Sequence, residues 1–319
     1  MPASYVHQCV ATTAADALSL FDQPALRHAL LAGSEGPDPL FFSVLALPGR
    51  PLVPKVGSLL HTRRTDDFLL ALADACKSSA LTRAYCCGFF THYAADTTFH
   101  PFVYAHSLED GGYSSTRHCT LEHQLETLFY RRQGHVSGLP MQMAGFAALS
   151  GTQKDEIARA LTQAISAIFP GEALSFAHVR RSFDDAVNLC RLLRSERGVK
   201  FRVLGTLLHP LRLDAPLQAH MMPSEPPQTD IMNDAHRAWA SIWTPETART
   251  DSFDDLYAAA SSRAAALAEA AHAYMTGGGS YASLRALHGG LSYDSGLPWQ
   301  TTCAPSKAPG AARQCPSMK

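Results

Sequence analysis

Residues 91–101 read THYAADTTFHP, which places His92, Asp96 and His100 at intervals of four residues. On an α-helix, residues four apart lie on one face, with their Cβ atoms about 6 Å apart. The preceding segment 84–90, AYCCGFF, is almost wholly apolar, which is typical of a core helix. Ionisable groups in a core cost roughly several kcal/mol unless they are paired or bind a metal. Two interpretations follow: a set of metal ligands, or three polar residues on an ordinary helix.

The same spacing recurs at His118 and Glu122, on a helix predicted to begin near Thr116. Imidazole and carboxylate groups together form a ligand set that suits Zn²⁺. One such pair often arises by chance and is usually solvated on a surface helix, so the weight lies in the combination of two pairs. Three further candidate ligands come from separate segments: His7, Asp38 between two prolines, and His61.

Composition limits the classes of partner. The net charge of −1 and the low charged fraction of 17% give no reason to expect nucleic acid or an anionic membrane as the default partner. The eight cysteines include no CxxC pair, so we interpret them as mostly buried, reduced side chains. The N-terminal stretch lacks a basic region followed by an unbroken apolar run, and no segment of about 18 apolar residues occurs. We therefore predict a cytoplasmic protein without a signal peptide or transmembrane segment.

Helical periodicity dominates the chain, and strand-like alternation is scarce. Helices are predicted over 12–31, 58–80, 82–100 with Pro101 as the end, 152–168, 183–197 and 252–275 with Ser252 as N-cap. Loops or irregular chain are predicted over 34–40, 46–57, 107–116 and 205–229. We predict an all-α, bundle-like fold with a metal cluster in its core, formed by one domain over 1–300. The candidate ligands lie within 1–125, supporting helices follow over 126–300, and 301–319 is predicted to be a disordered tail.

The order and local context of these segments resemble the zinc-dependent phospholipase C family. The matching phrases near the start are YVHQCV (5–10), EGPDPLFF (35–42), GSLLH (57–61), GFFTHYAADTTFHPFVY (88–104) and RHCTLEHQLE (117–126). NDAHRAW (233–239), SFDDLY (252–257) and SYDSGLP (292–298) are similar to later phrases of intracellular bacterial members. That family shares an all-α, multi-zinc fold with the S1/P1 single-strand nucleases. Its ligands run in the order His, Asp, His, HxxxD, His, HxxxE.

The resemblance implies ligands for two zinc ions, and a third zinc site is a further possibility. One zinc would be held by Asp38, His61, His92 and Asp96; a second by His100, His118 and Glu122; and a third by His7 together with a bridging Asp96. By the same analogy, Asp38 is the catalytic residue that orients or deprotonates the attacking water. No matching role exists for His123, nor for His28 and His106, which we interpret as surface histidines.

The third site departs from the secreted members, which use the α-amino group of a mature N-terminal Trp. Here Met1 precedes the small residue Pro2, a context in which Met1 is normally removed. The exposed amine of Pro2 would then lie five residues before His7, within reach of an ion held there. The alternative is a third site that is empty or filled by water.

The activity implied is hydrolysis of a phosphodiester, such as a phospholipid headgroup ester, by a metal-activated water. One alternative is an S1/P1-like single-strand nuclease or another soluble phosphodiesterase, although no obligate nucleic acid partner is predicted. A second alternative is a non-catalytic zinc-binding protein. A nuclease would stack bases on aromatic side chains, and the candidates are Phe89, Phe90, Phe99, Phe102, Tyr104 and Tyr113. For most of them, packing in the core is the alternative role.

Overall fold

The computed structural model describes residues 4–45, 52–110, 112–211, 218–223 and 229–302. The helices are α1 (Ser4–Ala17), α2 (Pro24–Gly33), α3 (Leu52–Thr62), α4 (Thr65–Ala75), α5 (Ala80–Ala105), α6 (Ser115–Arg132), α7 (Ala144–Ala148), α8 (Gly151–Ile168), α9 (Phe176–Leu193), α10 (Val199–Leu208), α11 (Phe253–Thr276) and α12 (Tyr281–His288). Short 3-10 helices cover Asp38–Leu45, Pro170–Glu172, His209–Leu211 and Trp299–Thr301. Two antiparallel hairpins pair β1 (Leu108–Glu109) with β2 (Gly112–Tyr113) and β3 (Trp239–Ala240) with β4 (Ala248–Arg249). The predicted all-α fold is confirmed.

Helix α5 forms the centre of the molecule and is buried along most of its length. It packs most extensively against α11 and α2. The approach of α2 depends on two glycines: a Cβ on Gly88 would lie 2.0 Å from the carbonyl oxygen of Leu30, and one on Gly33 would lie 1.9 Å from that of Tyr85. Only glycine permits this distance. The close packing brings the turn after α2, which leads to Asp38, against the middle of α5.

One hydrophobic core extends from Val6 in α1 to Tyr293 near the end of the described chain. The prediction of a single domain over 1–300 is compatible with this core and stays a prediction. Residues 303–319 of the predicted tail and residues 1–3, including Pro2, lie outside the described residues. No helix in the described ranges combines the length and the apolar content needed to cross a bilayer.

Two helix predictions are wrong about where a helix is interrupted or ends. The segment predicted as one helix over 12–31 forms α1 and α2, because Ser19 and Phe21 adopt positive φ angles of 50° and 64° and Pro24 opens the second helix. Helix α5 does not end at Pro101 but continues to Ala105. A proline inside a helix costs about 3 kcal/mol. The burial of Phe102, Val103 and Tyr104, at about 1.5–3 kcal/mol each, offsets that cost.

Other boundaries differ where tertiary packing extends or interrupts a helix. In the region predicted as irregular over 46–57, residues 46–51 lie outside the described ranges and the remainder begins α3. The predicted helix 58–80 is interrupted at Arg64, whose φ is 48°, and the predicted connection 205–229 begins inside α10. The predicted helices at 152–168 and 252–275 are confirmed, and Ser252 caps α11 by exchanging hydrogen bonds with Asp255.

Candidate metal centre

The structure brings together all eight side chains predicted as zinc ligands, which come from five separate helical segments. Their ligand atoms form three groups, each with all atoms within 4.8 Å of one another: His7, His92 and Asp96; Asp38, His61 and His92; and His100, His118 and Glu122. The first two groups share His92. Each of the eight residues is at most 6% exposed. Their convergence places the cluster in the core, beside the middle of α5.

Asp96 lies between the groups and faces four imidazole rings. Its Oδ1 atom is 3.2 Å from Nε2 of His7 and 3.6 Å from Nε2 of His100. Its Oδ2 atom is 3.0 Å from Nε2 of His92 and 3.7 Å from Nε2 of His61. This position is the one that a carboxylate shared between neighbouring ions would need.

The other two carboxylates, those of Glu122 and Asp38, also lie near histidines of the cluster. Oε1 of Glu122 is 3.0 Å from Nε2 of His118, its neighbour one turn away on α6, and 3.4 Å from Nε2 of His100. Oδ1 of Asp38 is 3.2 Å from Nε2 of His61. His100 therefore connects α5 to α6, and His61 connects α3 to the 3-10 helix that begins at Asp38.

Backbone carbonyl groups orient three of the imidazole rings. In each, Nδ1–H donates to a carbonyl oxygen, and this hydrogen bond directs Nε2 at the cluster. The pairs are His61 with Gly57 at 2.8 Å, His92 with Ser34 at 3.0 Å, and His100 with Tyr293 at 3.0 Å. The partner of His92 sits in the turn after α2, which explains why the glycine-dependent packing of α2 matters for the site.

These atoms fit a bound cation. With its Nδ1–H given to Ser34, His92 directs Nε2 at Asp96 Oδ2, only 3.0 Å away. A nitrogen lone pair and a carboxylate oxygen at that distance repel unless a proton or metal ion lies between them. Oδ2 of buried Asp38 also has no hydrogen-bond donor among the described residues, a costly state in the absence of an ion. Imidazole nitrogen and carboxylate oxygen are ligands that Zn²⁺ accepts.

Burial and the neighbouring charges shift the pKa values of the side chains in the cluster in opposite directions. Burial alone would raise the pKa of Asp96 and of Glu122, but the facing imidazoles hold both pKa values well below the usual range. Burial would lower the pKa of His100, yet Asp96 and Glu122 outweigh it and raise this pKa to about 10. For His7 and His118 burial prevails, and it lowers the pKa. The carboxylates thus stabilise positive charge at this point in the core.

The family described as zinc dependent phospholipase C matches the chain over residues 6–174, more than half of its length. All eight predicted ligands lie within that range. The chain belongs to the zinc-dependent phospholipase C family. Neither a curated protein nor a solved structure matches it.

A cleft of about 360 Å³ opens onto the centre of this zinc-dependent phospholipase C family member. Four candidate ligands line it, namely Asp38, His61, His100 and His118. The other lining residues are Phe41, Ser58, Thr62, Tyr104, Tyr113, Ser115, Cys119 and Asp294. Of the aromatic residues predicted as candidates for base stacking, Tyr104 and Tyr113 line the cleft and stack on each other, with ring centroids 5.0 Å apart. The four phenylalanines belong to the hydrophobic core, and Phe99 also lines a small cavity beside His7 and Asp96.

Sequence reasoning missed Tyr293 and Asp294, which lie outside the range that matches the family. The backbone N–H of Tyr293 donates to the carbonyl oxygen of His61 at 2.9 Å, while its own carbonyl accepts from His100. Asp294 follows directly and lines the cleft. The phrase SYDSGLP was the available signal, but nothing in it distinguishes a cleft residue from an ordinary turn.

A second missed group lies behind the centre. Glu35 is fully buried, accepting hydrogen bonds from Ser4 at 2.6 Å and Gln8 at 3.0 Å. Burial raises its pKa to about 8, despite these hydrogen bonds and with a contribution from nearby Asp38. His123, which has no matching role in the family, is only 2% exposed. His28 and His106, predicted as surface histidines, are half-buried.

Proposed function

We propose that this chain hydrolyses a phosphodiester at the buried cluster of eight side chains. The supporting observation is the position of Asp96, whose two carboxylate oxygens face His7, His61, His92 and His100. A carboxylate shared by neighbouring groups is the arrangement that adjacent ions require. In this proposal one zinc would be held by Asp38, His61, His92 and Asp96, a second by His100, His118 and Glu122, and a third by His7 with Asp96.

Bound zinc supplies Lewis acidity towards a phosphoryl oxygen and lowers the pKa of a water ligand towards neutrality. The chain's own contribution begins with Asp38. His61 lies 3.2 Å from one carboxylate oxygen of Asp38, and the other oxygen is free of hydrogen-bond donors among the described residues. Asp38 also lines the cleft, so it is placed to orient the attacking water and accept its proton. The backbone of Tyr293 keeps His61 and His100 in place during this step.

The cleft favours a substrate with one phosphate and little further negative charge. Its volume of about 360 Å³ is in the range of small-molecule sites. The described residues that line it include Asp294 but no lysine or arginine. A nucleic acid strand needs cations along its backbone, and this cleft presents a carboxylate instead. A phospholipid headgroup ester fits better than an oligonucleotide.

Turnover of three substrates separates the candidate functions: a phosphatidylcholine analogue, a single-stranded oligonucleotide and bis(p-nitrophenyl) phosphate, each with and without a chelator. We expect chelator-sensitive hydrolysis of the phospholipid analogue and the small diester, and little hydrolysis of the oligonucleotide. Preferred cleavage of the oligonucleotide would support the nuclease alternative. Zinc-loaded protein that hydrolyses none of the three would support the non-catalytic alternative.

A further inference from the structure

Helix α10 exposes a stripe of aliphatic side chains. Val199, Val203 and Leu207 follow one another at intervals of four residues, so they share one face of the helix. They are 52%, 49% and 67% exposed. Leu192, at the end of α9, is 64% exposed, and its carbonyl oxygen accepts a hydrogen bond from Lys200. The first turn of α10 therefore lies beside Leu192, and the four side chains belong to one region of the surface.

The opposite face of α10 contacts Gln218, in the described segment 218–223. The carbonyl oxygen of Phe201 accepts a hydrogen bond from Nε2 of Gln218 at 2.8 Å. A Cβ on Gly205 would lie 2.3 Å from the same nitrogen atom. These contacts place Gln218 on the side of α10 that carries Phe201 and Gly205. The stripe lies on the other side of the helix.

Basic residues surround the stripe. Between residues 191 and 209 the chain has five basic residues and one acidic residue, although the whole chain carries a net charge of −1. At 3.6 residues per turn, Lys200 and Arg202 lie on the two sides of the stripe. Arg191, Arg197 and Arg202 are exposed and have no carboxylate partner in the part of the chain that the structure describes. Their charge is available to an anionic partner.

This surface begins next to the proposed hydrolytic centre. Cys190 and Leu193, at the end of α9, line the same narrow cavity as Asp38. Helix α9 also packs along the 3-10 helix that starts at Asp38. A partner seated on the end of α9 and on α10 would thus lie close to the segment that carries the proposed catalytic carboxylate.

We propose that this surface docks onto anionic phospholipid membranes, and we call it the basic–apolar surface. It consists of Leu192, Val199, Val203 and Leu207 with Arg191, Arg197, Lys200 and Arg202. Helices that lie in the membrane interface combine an aliphatic face with flanking cations, which attract anionic headgroups. A single-stranded nucleic acid would also use the cations, but the aliphatic side chains offer its bases no aromatic surface for stacking. The proposal goes beyond hydrolysis, since docking can occur without turnover.

The test uses the full, zinc-loaded chain and sedimentation with vesicles of phosphatidylcholine containing about 30 mol% phosphatidylserine. We expect binding that weakens with added salt and that is absent with pure phosphatidylcholine vesicles. The variants are Val203→Ser/Leu207→Ser and Arg197→Glu/Arg202→Glu, and each should weaken partitioning at least about tenfold. Val136→Ser/Leu287→Ser is the matched control, because both side chains are exposed and lie elsewhere; it should bind as the unaltered chain does.

Three results would overturn the docking proposal: no binding to anionic vesicles, equal binding by all variants, or loss with the arginine variants alone together with tight oligonucleotide binding. The last result would assign the surface to nucleic acid. Hydrolysis of bis(p-nitrophenyl) phosphate, which needs no membrane, is measured on the same samples. Vesicle binding without that hydrolysis would overturn the proposed function and leave the docking proposal intact. Hydrolysis without vesicle binding would overturn the docking proposal and leave the proposed function intact.

Discussion

The Nδ1–H of His100 donates a hydrogen bond to the carbonyl oxygen of Tyr293, 193 positions further along the chain, at 3.0 Å. The N–H of the same Tyr293 donates to the carbonyl oxygen of His61. Its ring packs against His61 and Tyr93, with centroids 5.1 and 5.0 Å away. One residue near the end of the described chain therefore holds two imidazoles of the proposed zinc sites.

This relationship predicts different effects for two substitutions at Tyr293. Tyr293→Ala should lower the free energy of unfolding by about 3–5 kcal/mol, because it leaves a cavity beside His61, and should reduce zinc content. Tyr293→Phe should be neutral or slightly stabilising, because the buried hydroxyl has no hydrogen-bond partner among the described residues. Denaturant unfolding and metal analysis measure both. Equal destabilisation by the two changes would contradict the packing role of the ring.

Zinc content is expected to be at least two ions per chain. His92→Ala and His118→Ala belong to separate groups and should each lose roughly one ion. His28→Ala is the control, because His28 belongs to none of the groups and should leave the content unchanged. Metal analysis of protein never exposed to chelator provides the measurement. One ion or none in the unaltered chain would refute the proposed ligand set.

Asp38→Asn should keep most of the fold and reduce turnover of bis(p-nitrophenyl) phosphate by about 10²–10⁴. The amide retains the shape of the side chain but cannot accept the proton of an attacking water. Since the change also weakens a proposed ligand, zinc is measured on the same sample. Full turnover with full zinc content would remove Asp38 from the mechanism.

Glu35→Gln should change how stability depends on pH. The pKa of Glu35 is raised to about 8 in the folded chain, whereas an unfolded glutamate titrates near about 4.3. Between these values the folded state binds more protons, so Glu35 makes the free energy of unfolding fall as pH rises, by up to about 1.4 kcal/mol per pH unit. The variant lacks this contribution, so its stability relative to the unaltered chain should rise from about pH 4.3 to pH 8 and then level off.

Denaturant unfolding of both zinc-loaded proteins at several pH values gives the comparison, since the other titrating groups are common to both. Parallel curves for the two proteins would show that Glu35 titrates normally. A variant that becomes relatively less stable as pH rises would mean that the carboxylate is needed in its ionised form.

Much of the candidate site could be predicted because local spacing carries chemical information. The HxxxD and HxxxE pairs determine that two imidazole–carboxylate sets lie on helix faces, whatever the rest of the fold does. The order of the remaining motifs was enough to predict the family and the set of eight side chains. The cap at Ser252 was predictable for the same reason, since it depends on residues that are close in sequence.

Other features depend on partners that are distant in sequence. The carbonyl groups of Gly57, Ser34 and Tyr293 orient three imidazoles, and every residue has a carbonyl, so no residue type marks these positions. Pro101 stays inside α5 because burial of the residues after it outweighs the local preference of proline.

The sequence by itself determined which side chains are candidate metal ligands, because ligand chemistry and helical spacing are local properties. The tertiary structure alone decided that Asp294 lines the cleft and that the basic residues near α10 surround an exposed aliphatic stripe. A net charge of −1 gives no hint of that surface, because the net charge does not say where along the chain or on the surface the charges lie. Gln218 contacts the face of α10 opposite the stripe, and such a contact between segments cannot be found from local spacing.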